Sequence, residues 1–192
     1  MTQMTEQEII DAFQSAGALL TGHFKLRSGL HSDRFFQCAL ILRKPLVAER
    51  LCRTLAERIG DLGAETVISP AVGGLIVGQE IARALQIDAI FADKENDMLV
   101  LKRGFSIRPG EKIIVAEDVV TKGGRVQQTI DLVRKHGGIP VAVAVIADRS
   151  SEKPDFGIPF HSLIKLNLPT YEPEDCPLCK KEIPLDVPGS RS

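Results

Sequence analysis

Two adjacent acids, Glu117 and Asp118, follow the apolar run Ile113-Ile114-Val115-Ala116 and precede Val119, Val120, Thr121, Lys122, Gly123, Gly124 and Arg125. The glycine pair permits positive φ and lets backbone N–H groups come close to a ligand. Val126, Ile130 and Val133 then repeat at the spacing of an amphipathic helix that ends near Gly137-Gly138. Free N–H groups and the positive dipole end at the start of such a helix favour a phosphate. Two carboxylates beside a phosphate repel it unless they do something else. Accepting hydrogen bonds from vicinal sugar hydroxyls is one such task, and indirect support of a divalent metal is another. The pattern therefore suits a phosphorylated sugar. The plainer alternative is a solvated strand end followed by an ordinary turn, which the glycines alone do not exclude. A nucleotide-triphosphate loop is excluded because G-x-x-x-x-G-K-[ST] is missing, and no G-x-G-x-x-G follows a strand.

The other residue types with chemistry to offer are the cysteines. Cys176 and Cys179 form C-P-L-C near the C-terminus, while Cys38 and Cys52 stand alone. One CxxC is open to three readings: half of a zinc site, a redox pair, or a tail tied down locally. No second CxxC accompanies it and no nearby His pair completes a tetrahedral set, His161 being the nearest His in sequence. The tied tail is preferred, and no metal held by the protein's own side chains is expected.

The elements that must position these groups alternate along the chain. Thr5 to Glu8 reads as a capping box for a first helix carrying Ile9, Ile10 and Phe13 and ending by Gly17. Pro45 can open a second helix with Val47, Leu51, Leu55 and Ile59 on one face. Thr66 to Ile68 is a short strand leading into the loop 69–74, then a helix with Val77, Ile81, Ala84 and Leu85. Strands are expected at Asp88 to Ala92, Met98 to Leu101, the signature run, and Pro140 to Ala147, the last ending at Asp148-Arg149. Strands separated by helices imply an α/β doubly wound parallel sheet. Ligands in such sheets bind at the carboxyl ends of strands, where loops 69–74, 117–125 and 148–149 all fall.

Four apolar residues, Glu-Asp, two apolar residues and Thr-Lys-Gly-Gly together resemble the phosphoribosyl pyrophosphate signature of the type I phosphoribosyltransferase family. Gly22 to Gly29 with Ser32, Phe35 and Phe36 is similar to the N-terminal hood of the orotate-specific members. So are Ser69 to Gly74, Asp148-Arg149, and the closing segments Pro169 to Tyr171, Cys176 to Cys179 and Pro188 to Arg191. The resemblance implies one domain over 1–192, with 1–45 contributing the hood and 172–192 a tail. It implies transfer of ribose 5-phosphate from phosphoribosyl pyrophosphate (PRPP) to orotate, with Mg²⁺ bound through PRPP. PRPP is then held by Arg27, Lys94, Glu117, Asp118, Val119, Val120, Thr121, Lys122, Gly123, Gly124 and Arg125, with Thr121 and Arg149 at orotate. Lys94 and Asp118 are the implied catalytic groups. Lys94 lies in a segment, 91–97, that resembles the mobile loop shared between subunits of a homodimer. The resemblance departs where Lys122 and Arg125 stand in place of small residues, and where that loop is short, leaving Lys102 and Arg103 to compensate. For Arg149 the alternative is an ion pair with Asp148 or Glu152, and for Phe35 and Phe36 a place in the core rather than against the orotate ring.

Composition narrows the rest. The 192 residues can bury a substantial core, and 44% hydrophobic with 26% charged residues is ordinary for a globular enzyme. A formal net charge of −1 gives no global attraction to nucleic acid or to an anionic membrane, so an anion site must be local. No apolar run is long enough for a membrane span and the first residues do not read as a secretory signal, so a cytoplasmic protein is expected. Two alternatives remain: a PRPP-binding transcriptional regulator on the same fold, and a phosphoribosyltransferase for another base.

Overall fold

The computed structural model describes residues 3–26 and 28–188. Its first helix, α1 (Glu6–Ser15), begins as the capping box requires: the Thr5 side chain accepts from the Glu8 amide and the Glu8 carboxylate accepts from the Thr5 amide. Ile9 and Phe13 are fully buried on its inner face. A hairpin follows, β1 (Leu19–Lys25) with β2 (His31–Phe36), then the short α2 (Ala39–Leu42). Helix α3 (Pro45–Ile59) starts with Pro at its first turn and buries Leu51, Leu55 and Ile59.

The main sheet has six strands in the order β5-β4-β3-β6-β7-β8. They are β3 (Thr66–Pro70), β4 (Asp88–Glu95), β5 (Met98–Leu101), β6 (Lys112–Val120), β7 (Ile139–Asp148) and β8 (Phe160–Lys165). All neighbours are parallel except β4 and β5. Helix α4 (Gly74–Leu85) joins β3 to β4, and α5 (Gly124–Lys135) joins β6 to β7. The central strand β6 shows how two faces are covered. Ile114 and Ala116 enter the core shared with α1, α3 and α4, while Ile113 and Val115 enter the core shared with α5. Successive side chains of a strand point to opposite faces, so a continuous apolar run is what such a strand needs.

Three local expectations are corrected. Segment 91–97 is no irregular loop: β4 runs through Glu95 and turns back at Asn96-Asp97, both at positive φ, with Lys94 opposite Leu99. Those two residues fit a tight hairpin turn that matches strand twist. On α4 it is Ala82 that is buried while Ala84 is exposed. Strand β8, carrying the pattern Phe160-His161-Ser162-Leu163-Ile164-Lys165, adds an edge that the sequence reading did not foresee.

The C-terminal segment is no loose extension. The amides of His31 and Tyr171 exchange hydrogen bonds with each other's carbonyls at 2.9 and 2.8 Å. The Asp186 amide donates to His23 O at 2.8 Å, and the Lys25 amide to Asp186 O at 2.9 Å. The tail is thereby laid along both strands of the β1–β2 hairpin. No helix among the described residues is long and apolar enough to cross a membrane.

Candidate active site

The carboxyl ends of β3, β6 and β7 meet at one place. Glu117, Val119, Val120, Thr121, Lys122, Gly123, Gly124, Arg125 and Val126 line a small cleft of about 90 Å³. Gly123 adopts φ +75° and no side chain caps α5. The first N–H groups of a helix have no partner within it, so those of α5 are available to an anion. Thr121, Lys122, Gly124 and Arg125 are exposed around that helix start.

The acid pair is more enclosed. Glu117 is buried and its Oε1 accepts from the Asp118 amide at 3.0 Å, while Asp118 Oδ1 accepts from the Val119 amide at 2.7 Å. Burial first, and the charge of Asp118 second, raise the Glu117 carboxyl from 4.5 to about 8. Loop 69–74 closes over the pair, with a cis peptide between Ala71 and Val72. A Cβ on Gly73 would lie 3.0 Å from the Asp118 carboxylate oxygens, and one on Gly74 3.0 Å from Glu117 Oε1. Only glycine lets the loop come this close to the acids. Arg125 Nη1 spans the gap, donating to Ala71 O at 3.4 Å.

Arg149 joins the same end of the sheet, its amide donating to Val120 O at 2.8 Å. The alternative partner Asp148 is engaged elsewhere. It accepts from Ser150 Oγ at 2.5 Å, from the Ser150 amide at 2.8 Å and from Lys165 Nζ at 2.9 Å. Burial pushes the Asp148 carboxyl up, but the Ser150 and Lys165 hydrogen bonds outweigh it and hold it below the usual range. Arg149 Nε is buried with no hydrogen-bond partner, one of two such side-chain atoms among the described residues, and burial lowers its pKa. A half-buried guanidinium with an unpaired N–H is able to donate to an anionic acceptor.

Lys94 is not brought to this cleft. It pairs with Asp97 at 2.5 Å on the β4–β5 hairpin, next to Lys102–Glu95 at 2.8 Å and Arg103–Asp93 at 3.1 Å. Arg27 lies outside the described residues, as do residues 189–191 of the closing segment. Phe36 is a core residue packed edge-on against Phe13, and Phe35 packs on Phe24 at 5.8 Å.

The reading of Cys176-Cys179 also needs correction. A His pair does complete the set: His23 and His31, on the two hood strands, put their ring nitrogens among the two sulfurs, and all four donor atoms lie within 4.8 Å of one another. The CxxC half was visible in the sequence. The histidines carry no local pattern linking them to a segment 153 residues away.

Comparison with known proteins accords with this architecture. The phosphoribosyl transferase domain matches residues 41–167. A protein of Pelotomaculum thermopropionicum called orotate phosphoribosyltransferase is 50% identical over 188 residues, covering 98% of this chain and 99% of that one. One of the same name from Thermotoga maritima is 48% identical over 183 residues, covering 95% and 98%. Among solved structures, orotate phosphoribosyltransferase from Aeropyrum pernix superposes with a TM-score of 0.66 at 22% identity, covering 82% of this chain and 93% of that one. Adenine phosphoribosyltransferase from Rhodothermus marinus gives 0.63 at 20% identity, covering 82% and 99%. The solved structures share the fold across members acting on different bases.

Proposed function

The chain belongs to the phosphoribosyl transferase family, and on that premise we propose that it transfers ribose 5-phosphate from PRPP to orotate. The products are orotidine 5′-monophosphate and pyrophosphate, a step of de novo pyrimidine synthesis. The observation that carries the choice of base is Arg149, whose buried Nε has no partner at the end of β7. A planar guanidinium suits a carboxylate, which orotate has and uracil lacks. The name borne by relatives similar over nearly the whole chain supports the same choice.

The chain's own groups divide the work by charge. Thr121 and the backbone N–H groups of residues 122–125 receive the 5′-phosphate at the start of α5, with Val119 and Val120 as the cleft wall. Glu117 and Asp118 accept from the ribose hydroxyls. Arg149 and Thr121 orient orotate so that its ring nitrogen faces C1 of the ribose, and the proton on that nitrogen passes to the departing pyrophosphate. The C1–O bond to pyrophosphate breaks, its electron pair leaves on pyrophosphate, and the C1–N bond forms. Positive charge that grows on the sugar lies near Asp118, and Lys94 and Arg27 meet the departing anion, so catalysis rests on placed charge. Mg²⁺ bound through PRPP would supply positive charge against the pyrophosphate. Glu117 and Asp118 would be taken up by the ribose hydroxyls and would support the ion only indirectly, so Mg²⁺ would be held through PRPP.

The reading extends to a cytoplasmic homodimer. An apolar groove of about 420 Å³, lined in part by Leu75, Ile76, Ile90, Phe91 and Phe105, supports a covered face. So do Val72 and Met98, exposed by 79% and 62%.

Loss of orotate absorbance on mixing protein, orotate, PRPP and Mg²⁺ tests the reaction, with a chelator control. Metal-dependent loss with pyrophosphate release is expected, and uracil should not replace orotate. Arg149→Gln should raise the Michaelis constant for orotate by about 10- to 100-fold, the worth of a charged hydrogen bond, with little change for PRPP. Turnover of uracil or a purine instead would sink the orotate reading.

A further inference from the structure

We propose that His23, His31, Cys176 and Cys179 bind a structural Zn²⁺ that clamps the C-terminal tail onto the hood hairpin. Four potential ligand atoms converge on one point. His23 Nε2 is 3.0 Å from His31 Nδ1, 3.5 Å from Cys176 Sγ and 3.7 Å from Cys179 Sγ, and Cys179 Sγ is 3.3 Å from His31 Nδ1. A tetrahedral ion with the usual Zn–N and Zn–S lengths has N–N edges of about 3.3 Å and N–S edges of about 3.6 Å. Those four separations fall within about 0.3 Å of such edges, and all four donor atoms lie within 4.8 Å of one another.

Hydrogen bonding alone does not explain the convergence. His23 Nδ1 lies 2.7 Å from Ile183 O, and a carbonyl only accepts, so this nitrogen carries the proton. In the neutral ring Nε2 then offers a single lone pair, yet three groups are aimed at it. One cation satisfies all of them at once. The Ile183 carbonyl fixes the His23 ring in the orientation a metal-bound imidazole needs.

The donor set also decides the metal and its role. Two thiolates and two imidazoles in tetrahedral array suit zinc, and two thiolates neutralise its charge, which permits burial. His23, His31 and Cys176 are 3%, 5% and 0% exposed. Four protein donors leave no open position for a reacting water, so the site holds structure rather than performing chemistry. It contains none of residues 117–125 and does not depend on the reaction proposed above. Its ligands stand on β1, on β2 and in the tail, so the ion would close a link across 153 positions and fix the base of the hood turn between His23 and His31.

The full-length chain, purified without chelators from zinc-supplemented cells, should contain about one Zn²⁺ per chain by elemental analysis. Cys176→Ser with Cys179→Ser should abolish that content, while Cys38→Ala, a buried cysteine outside the cluster, should keep it. Because the double variant can misfold, wild-type protein stripped of metal and given Co²⁺ provides a second measurement. Intense visible bands of tetrahedral Co²⁺ with thiolate-to-metal charge transfer are expected, and stripping should speed tryptic cleavage at the exposed Lys180 and Lys181. Metal-free protein as purified, together with no tetrahedral Co²⁺ spectrum, would overturn the site. So would zinc content unchanged by the double substitution, or a Cys176–Cys179 disulfide in the purified protein.

Discussion

Burial, and after it the charge of Asp118 alongside, raise the Glu117 carboxyl to about 8, which favours its protonated form near neutral pH. In the free protein this shift works against stability. Ionised Glu117 is costlier in the fold than in the unfolded chain, so its contribution is most favourable below 4.5 and declines as pH rises towards 8. Ribose hydroxyls that donate to Glu117 favour its ionised form, so binding PRPP with Mg²⁺ near neutral pH should expel up to about one proton. Titration calorimetry in buffers of different ionisation enthalpy measures this directly. Asp118→Asn should shrink the release by removing the neighbouring charge; a binding enthalpy independent of buffer in the wild type would show that Glu117 is already ionised. The acid pair was legible in the sequence because it is contiguous with the glycine-containing turn that opens α5. The raised carboxyl was not, since its largest cause is burial, which comes from packing that includes Gly73 and Gly74 of another loop.

At the turn end of the β4–β5 hairpin the charges from Asp93 to Arg103 are mutually occupied: Lys94 with Asp97, Lys102 with Glu95, Arg103 with Asp93. Arg103 also lies over the Phe91 ring at 5.4 Å. Lys102 and Arg103, which the sequence reading offered as reserve cations, are therefore ion-paired in this conformation. For Lys94 to meet pyrophosphate it must exchange Asp97 for the substrate. That exchange is easy, because Lys94 and Asp97 side chains are 51% and 90% exposed and solvent-exposed ion pairs are weak. Asp97→Asn should therefore lower the Michaelis constant for PRPP by up to about fivefold. Lys94→Ala should reduce turnover far more, and steady-state kinetics separate the two. If Asp97→Asn leaves that constant unchanged, the pair does not compete with substrate. Residues 91–97 read as a loop because Asp93, Lys94 and Glu95 interrupt the apolar strand pattern, whereas Asn96-Asp97 was the turn signal that should have prevailed. Strand β8 escaped notice for a related reason: His161, Ser162 and Lys165 dilute its apolar content, and its place is fixed by pairing with β7 rather than by its own composition.

At the scale of the whole molecule the parallel topology gathers three loops at one end of the sheet, while Lys94 sits on β4, separated from β6 by β3. Two strand spacings amount to about 10 Å, and the Lys94 side chain turns back to Asp97 rather than across that gap. The proposed shared loop resolves this separation if the lysine serves the partner's cleft. The test follows from symmetry. Lys94→Ala subunits retain a sound acid pair, and Asp118→Asn subunits retain a sound lysine. If the lysine acts in trans, a mixed dimer contains one site with both groups intact and one with neither. Random reassociation of equal amounts makes half the dimers mixed, so about one quarter of wild-type activity should return from two inactive preparations. If the lysine acts within its own chain, every site in every dimer lacks one group and mixing restores nothing. Size-exclusion chromatography of the mixture, with one subunit tagged, verifies that exchange took place. A zero return with exchange demonstrated then rejects sharing, because symmetry leaves no other way to assemble a complete site.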